Sequence, residues 1–178
     1  MKRIVPLLVL ITVVIGCKSS KKASNTKPVS VTVKAPVTKV APKKNTVKSE
    51  SLIANKIIRT ALSFSGTRYK YGGTTRKGMD CSGLIFVSFK EHDIALQRTS
   101  SMMATQGNKI SLNQVQKGDL LFFSTGKNKR RINHVGLVVS VDNNTVKFVH
   151  ATTSRGVLVS SIKEGYWNYA FREARRIL

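Results

Sequence analysis

"GMDCSGLIF", residues 78–86, sets a single cysteine at the head of a short apolar run. Cys81, Leu84, Ile85, Ser88 and Phe89 recur at i, i+3, i+4, i+7 and i+8, which is one face of a buried helix. Asp80 stands where an N-cap belongs. Cys81 therefore falls in the first turn, where the helix dipole and unpaired backbone N–H groups favour a thiolate. Whatever fold the chain adopts must bury this helix and keep its first turn in reach of a partner.

Upstream, "SLIANKIIRTALSFSG" (51–66) carries Ile53, Ile57, Ala61 and Phe64 near helical spacing. It predicts an opening helix with Ser51 as N-cap and Gly66 as the stop. "TRYKYGGTTRKGMD" (67–80) reads as a turn-rich loop. Downstream the pattern changes to strands at 119–123, 134–141, 145–152 and 156–161, with a further one in "AFREARRIL" (170–178). Helices first and antiparallel strands afterwards predict an α+β domain over residues 51–178 with no internal repeat.

Residues 1–17, "MKRIVPLLVLITVVIGC", have a charged start and an apolar stretch from Ile4 to Gly16. The stretch is short of the roughly 20 residues a membrane span needs, and its layout is that of an export signal. Cleavage before Cys17 resembles the lipobox of bacterial lipoproteins, in which that cysteine carries acyl chains; the plainer alternative is an uncleaved membrane-tethering helix. Residues 18–50 follow as a basic tether: positions 18–49 hold nine lysines, three prolines and no acid. Such a stretch cannot bury enough apolar surface to offset its ordering entropy. It contributes to a net charge of +23, from 31 Lys and Arg against 8 Asp and Glu. Nucleic acid is one partner for such a charge, but export excludes it in favour of anionic lipid or wall carboxylates.

The chain has two cysteines. Lipid on Cys17 would leave Cys81 without an intramolecular partner, and three explanations compete for it: an inert buried thiol, a Cys17–Cys81 disulfide in place of the lipid, or a reactive nucleophile. Of three histidines, His92 sits in a polar segment and reads as a solvated loop residue. His134 and His150 lie within apolar strands. A two-residue turn at Asn143–Asn144 would put them on opposite faces of the hairpin. A three- or five-residue loop, or an equivalent bulge, would pair Gly136 with His150 and bring both histidines to one face. The odd loop or bulge is the expectation.

"YKYGGTTRKGMDCSGLIF", "KGDLLFF", "NHVGLVV" and "FVHATTSRGVLVSS", in this order, resemble the NlpC-type cell-wall cysteine peptidases. The closing "SSIKEGYWNYAFREARRIL" and the lipobox resemble the family's murein endopeptidase lipoproteins of the Spr or MepS kind. The resemblance implies a papain-like α+β fold with N-terminal helices packed on an antiparallel sheet. It makes Cys81 the nucleophile, His134 the general base and His150 the residue that orients the imidazole. Tyr69 matches a tyrosine beside the nucleophile, and Arg98 the arginine after the catalytic helix. Asp80 and Ser82 flank Cys81 as candidate substrate contacts, with N-cap and first-turn roles as the plainer account. Gln97 stands where the family has proline, and Met103 where it tends to have glutamine; both departures bear on the cleft wall.

One thiolate and two imidazoles could also hold zinc, but no short-spaced ligand pair supports a metal, and no cofactor is expected. The resemblance further implies a monomer acting on peptidoglycan stem peptides at the D-alanyl to meso-diaminopimelate cross-link. Alternatives are the γ-D-glutamyl to diaminopimelate bond within one stem, cleavage of a lipid ester or amide, and wall binding without catalysis. Lys18 and Ser19 after the lipidated cysteine are compatible with an outer-membrane anchor facing the periplasm.

Overall fold

The computed structural model describes residues 44–126 and 131–178. The signal segment, Cys17 and the tether as far as residue 43 lie outside them. Helix α1, Lys44–Ser63, begins seven residues before Ser51, which lies exposed inside it rather than capping it. Nothing between Lys44 and Ser51 stops a helix; the nearest breaker is Pro42, two residues before its start. The last seven residues assigned to the tether are therefore helical. Ala54, Ile57, Ile58 and Ala61 form the buried face. The helix unwinds through Phe64 and Ser65 to Gly66, whose φ of +78° ends it as expected.

The loop over 67–80 contains a small antiparallel pair, β1 (Thr74–Thr75) and β2 (Gly78–Met79). Helix α2, Cys81–Lys90, follows at once, with Asp80 as its N-cap. Behind it, His92 Nε2 lies 3.0 Å from Thr60 Oγ1, so this histidine ties the end of α2 to α1 instead of facing only water. A short α3 (Ser100–Met103) leads to β3 (Asn108–Ile110) and β4 (Leu120–Phe123). β5 (His134–Asp142), β6 (Thr145–Thr152) and β7 (Gly156–Ser161) match the expected strands closely. The last segment divides into α4 (Gly165–Ala170) and β8 (Phe171–Arg176).

Six strands form one antiparallel sheet in the order β3-β8-β4-β5-β6-β7. Apolar layers cover both faces. Leu120 and Phe122 join the layer under α1 and α2, while Leu121 and Phe123 join one with Phe148, Trp167 and Ala174. This explains the uninterrupted "LLFF": a strand covered on both sides has no polar face. Chain-end β8 enters between β3 and β4, and Arg176 pairs with buried Asp119 at 2.8 Å.

The β5–β6 hairpin closes through two residues, Asn143 and Asn144, both at positive φ, so the loop is even rather than odd. The expected offset arises elsewhere. Register shifts between Val138 and Ser140, where Val139 is the extra residue of a bulge. Asp142 faces Thr145 beyond the bulge, and Leu137 faces Val149 before it. Carried one step further, that register sets Gly136 opposite His150, on the face shared with His134. A Cβ at Gly136 would come within 2.4 Å of the Phe148 ring. Gly136→Ala should therefore cost about 2 kcal/mol through overpacking, checked as a lowered urea midpoint at unchanged slope.

Candidate active site

Asp80 fixes the head of α2. Its Oδ1 accepts from Gly83 N at 2.6 Å and from Ser82 Oγ at 3.2 Å, and its Oδ2 accepts from Gly72 N at 2.8 Å. Arg98 closes a two-pronged pair on the same carboxylate, Nη1 to Oδ1 at 3.2 Å and Nη2 to Oδ2 at 3.1 Å. Arg98 Nη1 also donates to Ser82 Oγ at 2.8 Å. Asp80, Ser82 and Arg98 are thus one network that binds the glycine loop and the α3 entry to the cysteine turn. Gly83 fits this corner because a Cβ there would meet Gly73 O at 2.1 Å. The two departures from the family pattern fall nearby: Met103 is fully buried in the main core, and Gln97 N donates to Gln106 Oε1 at 2.7 Å.

Cys81 is a free thiol, 8% exposed, on the first residue of α2. Burial pushes it up to about 11, and the charge on Asp80 adds to the rise. Backbone hydrogen bonds from Val135, Ser82 and Cys81 itself pull the other way without overcoming it. The resting sulfur is therefore a thiol, not the thiolate expected from its place on the helix, because desolvation outweighs the dipole. The N–H groups of Cys81 and Ser82 still lie in the first turn of α2 beside the sulfur, where they can meet the oxyanion of an attacked carbonyl. Tyr69 stands beside it: burial raises its phenol, and the charges of Cys81 and Asp80 add to the effect.

The bulged hairpin brings the two histidines together. His134 Nε2 lies 3.0 Å from His150 Nδ1, with the rings at 88°. Burial lowers His134 to about 4 and His150 to about 3, the latter helped by the charges of His134 and Arg155. Both are neutral at pH 7. If His134 Nε2 carries the proton and donates to His150, then His134 Nδ1 keeps a lone pair. His150 must then hold its proton on Nε2, which is buried with no hydrogen-bond partner among the described residues.

That nitrogen sits among rings. Trp167 stacks on His134 at 5.2 Å and 23° and meets His150 edge-on at 4.5 Å, while Phe148 lies 4.8 Å from His150. Trp167 was not singled out in the sequence; the signal available was the chain's one tryptophan in a polar-looking segment. Asn133 was missed too. Its side chain accepts from Thr125 N at 2.8 Å and donates to Thr125 O at 2.8 Å, pinning the entry to β5 next to His134.

Two cavities meet at Cys81. One, of about 510 Å³, is lined by His134, Arg155, Glu164 and Trp167, among others. The other, of about 680 Å³, is lined by Asp80, Ser82, Arg98 and Arg131. Tyr69, Cys81 and Asn133 line both. A thiol, a neutral imidazole and converging amides at the meeting point of two grooves can carry out acyl transfer on an extended chain. Among the described residues no group of three His, Cys, Asp or Glu could hold a metal ion.

Residues 66–176 match the NlpC/P60 family. The chain belongs to that family. The probable endopeptidase NlpC of Escherichia coli is 42% identical over 116 residues, covering 65% of this chain and 72% of that protein. The Escherichia coli murein DD-endopeptidase MepS/murein LD-carboxypeptidase is 31% identical over 98% of this chain and 91% of its own. Among solved structures, an NlpC/P60 family protein from Bacillus cereus superposes with a TM-score of 0.64 at 29% identity. That match covers 70% of this chain, which spans only 40% of the length of the Bacillus protein. The α+β, papain-like fold of helices packed on an antiparallel sheet is the family's.

The buried histidines make stability depend on pH. Their folded-state values lie below the ordinary imidazole value near 6.5, so the unfolded chain binds more protons from about 6.5 down to about 4 for His134 and about 3 for His150. Stability is present in full above about pH 6.5 and is lost as pH falls through that window, by on the order of a few kcal/mol. Cys81 acts in the opposite direction: its raised value removes stability as pH climbs from the ordinary thiol range toward 11. Urea midpoints at pH 4.5, 7.5 and 10.5 should be highest at 7.5.

Proposed function

We propose that the chain is a peptidoglycan hydrolase, a cysteine endopeptidase that cuts the D-alanyl to meso-diaminopimelate cross-link between stem peptides. The observation that carries the chemistry is that His134, held 3.0 Å from buried His150, lines a cavity together with Cys81. The substrate follows the relatives: both Escherichia coli proteins are named endopeptidases, and one is named for murein. The same relative's name adds an LD-carboxypeptidase activity, which we carry over as a second reaction of this site.

In the first half-reaction Cys81 Sγ attacks the amide carbonyl as its proton passes to His134. The amides of Cys81 and Ser82, with Tyr69, hold the oxyanion. The tetrahedral species collapses to a thioester as His134 gives its proton to the departing amine. Water, deprotonated by the same imidazole, then releases the acid and restores the thiol. His150 keeps His134 Nε2 occupied so that the opposite nitrogen meets the substrate. The Asp80–Ser82–Arg98 network lines the acyl side of the groove.

Lipidation at Cys17, a tether from that anchor, an outer-membrane position facing the periplasm and action as a monomer complete the reading. They rest on the sequence alone. The test incubates the protein from Lys18 onward with cross-linked peptidoglycan and identifies products by mass spectrometry beside a Cys81→Ala control. Loss of cross-linked dimers with gain of intact monomeric stems supports the assignment. Stems cut after D-glutamate would move the scissile bond, and no Cys81-dependent product would leave a wall-binding lipoprotein.

A further inference from the structure

We propose that Arg155 forms a carboxylate-binding subsite on the leaving-group side of Cys81, and that this cation selects amide bonds whose amine bears a free carboxylate on the same carbon. The inference rests on the endopeptidase reading above and sharpens it to a choice of bond.

The two cavities can be assigned to the two halves of a substrate by proton transfer. His134 must reach the departing amine to protonate it, and His134 lines the 510 Å³ cavity, so the amine half lies there. Asp80, Ser82 and the head of α2 line the other cavity, which takes the acyl half. Among the described residues lining the amine side, Arg155 is the one guanidinium and Glu164 the one carboxylate.

Both are held in place through their surroundings. Arg155 N donates to Thr152 Oγ1 at 3.2 Å, and the following Gly156, at φ +67°, packs so tightly that a Cβ would meet Thr67 O at 2.2 Å. The turn carrying Arg155 is thereby pressed onto the start of the loop that follows α1. Glu164 Oε1 accepts from Ser161 N at 2.8 Å. The positive charge of Arg155 is also felt at His150, which sets it within electrostatic reach of the histidine pair.

The chemistry of the possible bonds then differs at one point. In an ordinary peptide bond the amine half has its carboxyl engaged in the next amide, so an arginine there has no anion to meet. In the cross-link, the attacked nitrogen sits on a diaminopimelate carbon that carries a free carboxylate. In a carboxypeptidase reaction the leaving residue is terminal, and it too carries a free carboxylate beside the nitrogen. One guanidinium therefore serves both reactions and disfavours the bond within a stem. The released group is an α-amino acid zwitterion, whose carboxylate and ammonium are complemented by Arg155 and Glu164 respectively.

The test compares two cross-linked tetrapeptide dimers, one with the free carboxylate beside the scissile nitrogen and one with that group amidated. The wild-type protein should favour the acid by about tenfold in kcat/KM, the worth of one charge-assisted hydrogen bond. Arg155→Gln should bring that ratio down toward one, and Arg155→Lys should retain part of it. Because the Arg155 side chain is exposed, neither variant threatens the fold. Equal wild-type rates on both dimers, or a preference that survives in Arg155→Gln, would overturn the subsite while leaving cross-link cleavage standing. Cys81-dependent cuts confined to the γ-D-glutamyl to diaminopimelate bond would overturn the cross-link reading, and the subsite with it.

Discussion

Cys81→Ala should reduce hydrolysis of cross-linked peptidoglycan by on the order of 10⁴-fold or more, to the background of the uncatalysed reaction. The neighbouring hydroxyl does not substitute: Ser82 has its oxygen shared between Asp80 and Arg98. The fold should survive, because the substitution removes one sulfur from a site that is 8% exposed and leaves the Asp80 cap in place. It should even gain tolerance of alkaline pH, since the raised thiol no longer opposes folding there. Product analysis and a thermal melt on the same sample check both halves. A rate within tenfold of wild type would remove Cys81 from the mechanism.

His134→Ala should cost nearly as much, about 10³-fold or more in kcat, because in the proposed mechanism the same imidazole takes the thiol proton and returns one to the amine. The loss is steep here because the resting sulfur is protonated: without a base, attack must start from a thiol held near 11. His150→Ala should cost less, on the order of 10–10²-fold, since His150 aligns His134 and takes no proton itself. Its removal also deletes a buried nitrogen that has no hydrogen-bond partner among the described residues, so stability should fall less than for an ordinary buried side chain. Parallel progress curves for the two variants decide the roles, and the reverse order would exchange them. Trp167→Leu supplies a companion measurement: loss of the stacked indole should lower kcat several-fold with KM little changed and move the acid limb of the pH–rate profile upward as water reaches the imidazoles.

The residues around Cys81 were legible because local rules set them. The i, i+3, i+4, i+7 spacing and the Asp80 cap are visible in ten residues, and α2 follows them. The alternating and continuous apolar runs of β4 to β7 were equally plain. The facing of the histidines was legible as a condition, one shared face, though not as a location: the offset lies at Val139 in the strand and not at the turn. A bulge leaves no local signature when both neighbours are valine and serine in a β-rich run.

What remained unread depends on distant pairing. β8, "FREARR", looks amphipathic at best, yet it lies inside the sheet because β3 and β4 flank it, and its charges find Asp119 and Lys109 there. The same applies to Trp167, whose position against His134 follows from how α4 folds back on the sheet. The resting state of the thiol also escaped sequence reasoning, since a helix N-terminus is visible in a sequence and the depth of burial around it is not.

The bulge at Val139 divides the β5–β6 hairpin into two lengths with separate duties. Everything on the near side is phased by the tight packing of Gly136 against Phe148, so the histidine pair keeps its alignment whatever happens beyond it. The far side, ending at Asn143–Asn144, is free of that obligation. Residues can be inserted, removed or recoloured at this tip without retuning the chemistry at its base. A lineage could therefore remodel the outer hairpin for new surroundings in the wall while the reacting groups stay as they are.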